Sequence, residues 1–195
     1  VVAQFRNGAV HAKAAGFDAV ELHGANGYLI DQFLRDGTNR RTDRYGGSAA
    51  NRVRFLQEVA EAVVGVWGAD RVGVRLSPFG AFNDMADSDP VATFGAAAAA
   101  MGELRLAYLH MVEGTPAEQD GIRAIRARFD GFYVACGGYD RQRALDAVAS
   151  GHADAVAFAT LYISNPDLVE RLRRDAPLAE RLAAEPGVRH RRCGV

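Results

Sequence analysis

Five short runs of apolar, β-branched or aromatic residues punctuate the chain, at 17–23, 71–77, 106–112, 132–136 and 153–158. Each is nearly continuous in apolarity, the pattern of parallel strands covered on both faces. Between the runs the period lengthens to that of a helix: Val53, Leu56, Val59, Val63 and Trp67 recur at three- and four-residue spacing. Asp89 followed by Pro90 predicts a capped helix start with proline in the first turn, and Asn165-Pro166-Asp167-Leu168 predicts another of the same kind. A further helix is predicted over 141–150, and the alanine-rich stretch 95–101 reads as a helix core. The opening residues read as an amphipathic helix already under way, without an initiator Met or a signal-peptide pattern, as if the sequence enters a larger architecture part-way.

Strand, loop and helix in five successive units predict an α/β fold with a parallel sheet. The first strand is not followed by Gly-x-Gly-x-x-Gly, which weakens a dinucleotide-binding reading, and no Walker-type loop is present. A closed eight-stranded barrel typically takes about 250 residues, and this chain has 195. The expectation is therefore one α/β domain over 1–195, a partial or truncated (β/α)8 barrel.

Composition narrows the function classes. The 23 basic and 24 acidic residues leave a net charge of -1, so no broad field attracts nucleic acid or an anionic membrane. With 49% apolar and 24% charged residues, wholesale disorder is excluded. Cys136 and Cys193 are too few and too far apart for a disulfide scaffold or a zinc cage, so no metal is expected and a reduced cytoplasm is the expected location. No run approaches the roughly 20 apolar residues that span a bilayer.

In barrels the working residues lie at the C-terminal ends of strands and in the loops that follow. Here those ends carry His23 with Asn26 and Tyr28 in the loop after the first strand, Arg75 on the second, Gly137-Gly138 after the fourth, and Ala159-Thr160 as the end of the fifth strand itself. A His and an Asn three residues apart can offer two neutral donors to one developing oxyanion. A tyrosine hydroxyl can deliver a proton at neutral pH. An arginine on the next strand supplies fixed positive charge, and paired glycines can turn backbone N–H groups toward a phosphate. Structural readings stand beside these: a satisfied core histidine, a packed Tyr28, Arg75 as an ion-pair partner of Glu21 or Glu113, and a glycine pair serving only a tight turn.

The segment His23-Gly-Ala-Asn26-Gly-Tyr28-Leu-Ile-Asp-Gln-Phe-Leu, followed by Asn39-Arg-Arg-Thr-Asp-Arg-Tyr45-Gly-Gly-Ser, resembles the Old Yellow Enzyme family of flavin-dependent alkene reductases. Arg71-Val-Gly-Val-Arg75-Leu-Ser-Pro78, Tyr108-Leu-His-Met-Val-Glu113 and Ile163-Ser-Asn-Pro-Asp-Leu168 continue the resemblance in family order. It covers roughly residues 1–175 and implies strands four to eight of the family's barrel. It also implies FMN as cofactor, NADH or NADPH as reductant, and an activated alkene such as an enone, nitroalkene or maleimide as substrate. By resemblance, His23 and Asn26 hold the substrate oxygen, Tyr28 protonates the α-carbon, Arg75 sits by flavin N1 and the C2 oxygen, and Gly137 and Gly138 offer donors to the FMN phosphate.

The chain departs from the family pattern in three ways. Strands one to three have no counterpart in it. Where the family reads Gly-Arg, with the arginine gripping the FMN phosphate, this chain has Ala159-Thr160. A charge-assisted hydrogen bond contributes about 1.5–3 kcal/mol, so its loss predicts FMN held roughly ten- to a hundredfold more weakly. The segment 178–195 departs from the family's ending and reads as a solvated arginine-rich tail, with Arg181, Arg189, Arg191 and Arg192. Five parallel strands leave two open edges, so self-association or a complementary half-barrel is expected to cover them. Three functions remain in view: an FMN-dependent ene-reductase, a flavin-free relative doing acid–base chemistry on a carbonyl substrate (isomerisation or cyclisation), and a non-catalytic assembly subunit.

Overall fold

The computed structural model describes residues 1–179. Expectations for the arginines at 181, 189, 191 and 192 lie outside them. The chain divides into two compact units, Val1–Val156 and Ala157–Val195.

The first unit opens with α1 (Val2–Ala14) and continues with β1 (Val20–Gly24), α2 (Leu29–Leu34), α3 (Ala49–Trp67), β2 (Val72–Leu76), α4 (Pro90–Glu103), β3 (Tyr108–Val112), α5 (Gln119–Arg126), β4 (Phe132–Cys136) and α6 (Arg141–Ala149). A last strand, β5 (Ala155–Ala157), begins at its end, and the sheet runs in the order β1-β2-β3-β4-β5. The pairs β1–β2, β2–β3 and β3–β4 are parallel. Sequence-ordered parallel strands with a helix after each form the succession of a (β/α) barrel, with five strands among the described residues.

Local chemistry explains most boundaries. Ser48 accepts a hydrogen bond from Asn51 N, which starts α3 at Ala49, four residues before the apolar period becomes visible. The buried stripe of α3 is Val53, Leu56, Val59, Ala60, Val63 and Trp67, and this helix packs on α1, α2, α4 and β2. Asp89 caps α4 through Ala92 N with Pro90 in its first turn, as predicted. Asp140 caps α6 in the same way through Arg143 N.

The expected covering of the strands on both faces is corrected by the register. One face carries Leu22, Val74, Leu109 and Tyr133 side by side, all buried, beneath the helices. The opposite face carries Glu21, His23, Arg75, Tyr108 and His110, none of them buried. Apolar runs this short conceal the polar residues at every second position, and only strand pairing shows that they share a face. The fifth strand is also shorter than predicted. Ala153 N bonds back to Ala147 O, so only Ala155–Ala157 remain as strand.

In the second unit, α7 (Thr160–Ser164) precedes α8 (Leu168–Arg174). The predicted helix start, with Asn165 as cap and Pro166 as first residue, falls two residues later, with Asp167 and Leu168 in those places. The Asn165 side chain donates to Leu161 O and accepts from Ala179 N, so it is not available as a helix cap.

Candidate functional site

β1 delivers His23 to its C-terminal end, in register with Arg75 of β2 and, beyond it, His110 of β3. Burial lowers the His23 pKa, and the Arg75 charge lowers it further. The ring is therefore neutral at neutral pH, as required of a donor that does not pre-pay a charge. Tyr28 is 55% exposed and stands edge-on to the His23 ring, with centroids 5.3 Å apart.

The loop from Ala25 to Tyr28 is held from several sides. Asn26 takes a left-handed φ of 57°, a conformation asparagine tolerates better than most residues. Its N–H donates to Ser77 Oγ at 2.8 Å, and its carbonyl accepts from Asn83 Nδ2 at 2.9 Å. Beneath lies a buried ion pair, Asp31 with Arg35. Asp31 accepts the Gly27 N–H at 2.9 Å, and Arg35 donates to Ser77 O, so one pair ties the β1 loop to the end of β2.

Gly27 has φ of 74°, and a Cβ there would stand 2.7 Å from Asn83 Cβ and 3.0 Å from Phe82 O. Gly27→Ala is expected to cost about 1–3 kcal/mol. Urea unfolding of the two proteins checks this, and an unchanged midpoint would show the loop to be adaptable.

Gly137 and Gly138 follow β4 with φ of 109° and 66°. A Cβ on Gly137 would meet Glu113 O at 2.8 Å, whereas at Gly138 the nearest atom is Arg143 Nη1 at 3.8 Å. The pair therefore forms a turn closed on one side and open on the other. Its anchor is Glu113, a buried carboxylate that the sequence reading offered only as a partner for Arg75. Glu113 instead accepts from the Tyr133 and Tyr139 hydroxyls at 2.9 and 2.7 Å and lies 2.6 Å from His152 Nε2. Burial first, and then the Glu113 charge and hydrogen bonds, hold both phenols above the ordinary tyrosine range. Arg143 donates to Gly138 O and lies over the Tyr139 ring, bringing a guanidinium to the glycine turn.

The alternative of Arg75 as an ion-pair partner is corrected by the same geometry: Glu21 pairs with His110, and Glu113 with His152 and Arg143. Arg75 Nη2 lies 3.6 Å from Cys136 Sγ, and its Nε is buried without a hydrogen-bond partner. Among the described residues this guanidinium forms no ion pair.

Ala159 and Thr160 belong to the second unit. The expectation that the strand runs to them is corrected. β5 ends at Ala157, Ala159 has left extended backbone with φ -119° and ψ -62°, and Thr160 opens α7. His23, Asn26, Tyr28, Arg75, Gly137 and Gly138 all lie in the first unit, at the C-terminal ends of β1, β2 and β4. Sequence reasoning missed His110, Cys136 and the Asp31–Arg35 pair. The alternation Tyr108-x-His110 within an apolar strand was the available signal for the first of these.

The NADH:flavin oxidoreductase / NADH oxidase family matches this chain over residues 1–179. A putative 12-oxophytodienoate reductase 11 of Oryza sativa subsp. japonica is 48% identical over 185 residues, covering 91% of this chain and 50% of the relative. The 12-oxophytodienoate reductase 7 of the same plant is 46% identical over 198 residues, with the same coverage. Among solved structures, morphinone reductase in complex with tetrahydroNAD superposes with a TM-score of 0.86 at 46% identity, over 92% of this chain and 49% of that one. The old yellow enzyme homologue from Zymomonas mobilis gives 0.87 at 40% identity, over 92% and 52%. The chain thus spans about half the length of the relatives it matches. Its strand order, its strand-end residues and its similarity over nearly all the described residues agree, and the chain belongs to the NADH:flavin oxidoreductase / NADH oxidase family, the family of Old Yellow Enzyme.

Proposed function

We propose that this chain contributes the substrate-activating and phosphate-facing side of an FMN-dependent reductase of activated C=C bonds, with NADH or NADPH as reductant. The observation that carries this reading is the gathering of a neutral His23, the Asn26–Tyr28 loop, Arg75 with its Nε unpartnered and the Gly137-Gly138 turn at one end of one sheet.

These residues suit FMN on their own chemistry. Arg75 offers a buried Nε–H without a hydrogen-bond partner and a guanidinium in no ion pair among the described residues, which fits the electron-rich edge of an isoalloxazine ring. Gly138, where a Cβ would meet only Arg143 Nη1 at 3.8 Å, and Arg143 itself fit a phosphate. When bound, FMN supplies hydride transfer between the nicotinamide and the alkene. The chain's own residues bind and polarise the substrate: His23 and Asn26 donate to its carbonyl or nitro oxygen, and Tyr28 delivers the proton to the α-carbon.

Two features modulate the proposal. With Thr160 in place of an arginine, FMN affinity is set by the glycine turn and Arg143. Beside the open edge of β1 lies an apolar groove lined by Phe5, Ala9, Val20, Leu22 and Val63. An edge strand next to apolar surface favours assembly with a second copy or a complementary half-barrel. Light scattering at micromolar concentration tests this; a clean monomer counts against it.

The decisive experiment is titration of the purified chain with FMN, followed by visible absorbance, and then NADPH-dependent loss of cyclohexenone. The expected result is a shifted flavin spectrum and turnover. Thr160→Arg is expected to tighten FMN roughly tenfold. A spectrum unchanged by excess FMN would leave the flavin-free reading, in which His23, Asn26 and Tyr28 act on a carbonyl substrate alone.

A further inference from the structure

The open face of the sheet holds a second constellation, of which the proposed reduction uses only Arg75. Four adjacent strands each contribute one side chain: Glu21 from β1, Arg75 from β2, His110 from β3 and Cys136 from β4. Glu21 Oε2 lies 2.9 Å from His110 Nδ1 and so fixes the imidazole by one nitrogen. Its other nitrogen, Nε2, is buried without a hydrogen-bond partner of standard geometry, while the same ring interacts with the Cys136 sulfur. On its other side the sulfur meets Arg75 Nη2 at 3.6 Å. Two further titratable groups share this face. His23, in register with Arg75, is held below the ordinary histidine value by burial and the Arg75 charge. Tyr108 is hydrogen-bonded to Glu21. Burial first, and then Glu21, push it up to about 12, so it stays neutral.

A nucleophile, a proton carrier and a carboxylate that orients the carrier form the sequence that activates a thiol. The electrostatics agree with the geometry. Burial pulls the His110 ring down, but hydrogen bonds and charge from Cys136 and Glu21 outweigh it and raise the ring to about 9. Burial pushes the Cys136 thiol up, but His110 and Arg75 bring it below the ordinary cysteine value.

We propose that Cys136 is a nucleophilic site at which an electron-poor alkene adds covalently to this chain, with His110 as its proton partner. The thiolate sulfur attacks the β-carbon. A C–S bond forms, the C=C π bond breaks, and its electron pair moves to the activating carbonyl as an enolate. Protonated His110 then gives its proton to the α-carbon, leaving a saturated thioether. The proton first held by the thiol ends on the α-carbon, and the step needs no oxidant or reductant. Arg75 Nε and His110 Nε2, both buried and without standard partners, are the donors an incoming carbonyl oxygen can satisfy. The addition uses neither FMN nor NAD(P)H, although it shares Arg75 with the flavin site proposed above.

The test uses N-ethylmaleimide as the alkene at pH 6.5 without NAD(P)H, with peptide mapping to separate Cys136 from Cys193. Cys136 is 6% exposed, so burial alone makes it slower in the folded chain than in the same chain unfolded in urea. The expected result is the reverse, with folded Cys136 labelled roughly tenfold faster because the thiolate fraction sets the rate. His110→Gln is expected to abolish that advantage. Folded Cys136 labelling no faster than the unfolded residue overturns the proposal without reliance on any variant. So does an unchanged rate in a folded His110→Gln protein.

Discussion

Arg35→Ala is expected to lower the unfolding free energy by about 3–5 kcal/mol. Arg35 and Asp31 are 2% and 0% exposed, and their charges meet at 2.8 Å. Removing the guanidinium leaves a carboxylate buried without its counterion, which costs more than the pair contributed. It also removes the donor to Ser77 O and the cation lying over the Phe94 ring at 5.1 Å. Most domains are stable by only about 5–15 kcal/mol, so this single change consumes a large part of the total. Replacing both partners with apolar residues (Asp31→Leu with Arg35→Met) is expected to recover more than half of the loss, because the buried charge is gone and Ser77 O keeps its bond from Gly80 N, leaving the Gly27 N–H unpaired. Urea unfolding of the three proteins decides the matter. An Arg35→Ala protein within 1 kcal/mol of the parent would mean that water reaches Asp31.

The second large effect concerns chemistry rather than folding. Tyr28→Phe is expected to slow NADPH-dependent enone reduction by about a hundredfold or more, the usual contribution of a positioned general acid. The phenyl ring preserves the edge contact with His23. Tyr28 is more than half exposed and its hydroxyl is in no described hydrogen bond, so stability is expected to change by less than about 0.5 kcal/mol. Steady-state kinetics alongside a thermal melt separates the two effects. Equal turnover in both proteins would remove Tyr28 from the proton-donating role and leave solvent as the source.

Much of this was legible in the sequence because it rests on local signals. The cap at Asp89-Pro90 is made by neighbours in the chain, and the apolar stripe of α3 follows from helical spacing alone. His23, Asn26 and Tyr28 lie within six residues, so a short motif carries their relation. The Gly137-Gly138 pair was visible as composition, and the structure supplied the reason for it in the positive φ angles and the nearness of Glu113 O. Where local reading failed, a distant partner had taken the residue. Asn165 looks like a helix cap, yet its amide is bonded to Leu161 and Ala179.

The α/β class, the parallel strands, the helix starts that carry their own caps and the family follow from periodicity and contiguous motifs, and so are written in the chain. Which polar residues face one another depends instead on strand pairing. Glu21 and His110 are 89 positions apart and lie on strands separated by β2. They meet across β2, where Gly73, in register with Glu21 and Tyr108, has no side chain and the Tyr108 ring occupies the space a Cβ would take. Cys136 enters the same cluster from the next strand through Arg75. No spacing rule encodes such a group, since its members are joined by strand pairing and register rather than by the chain.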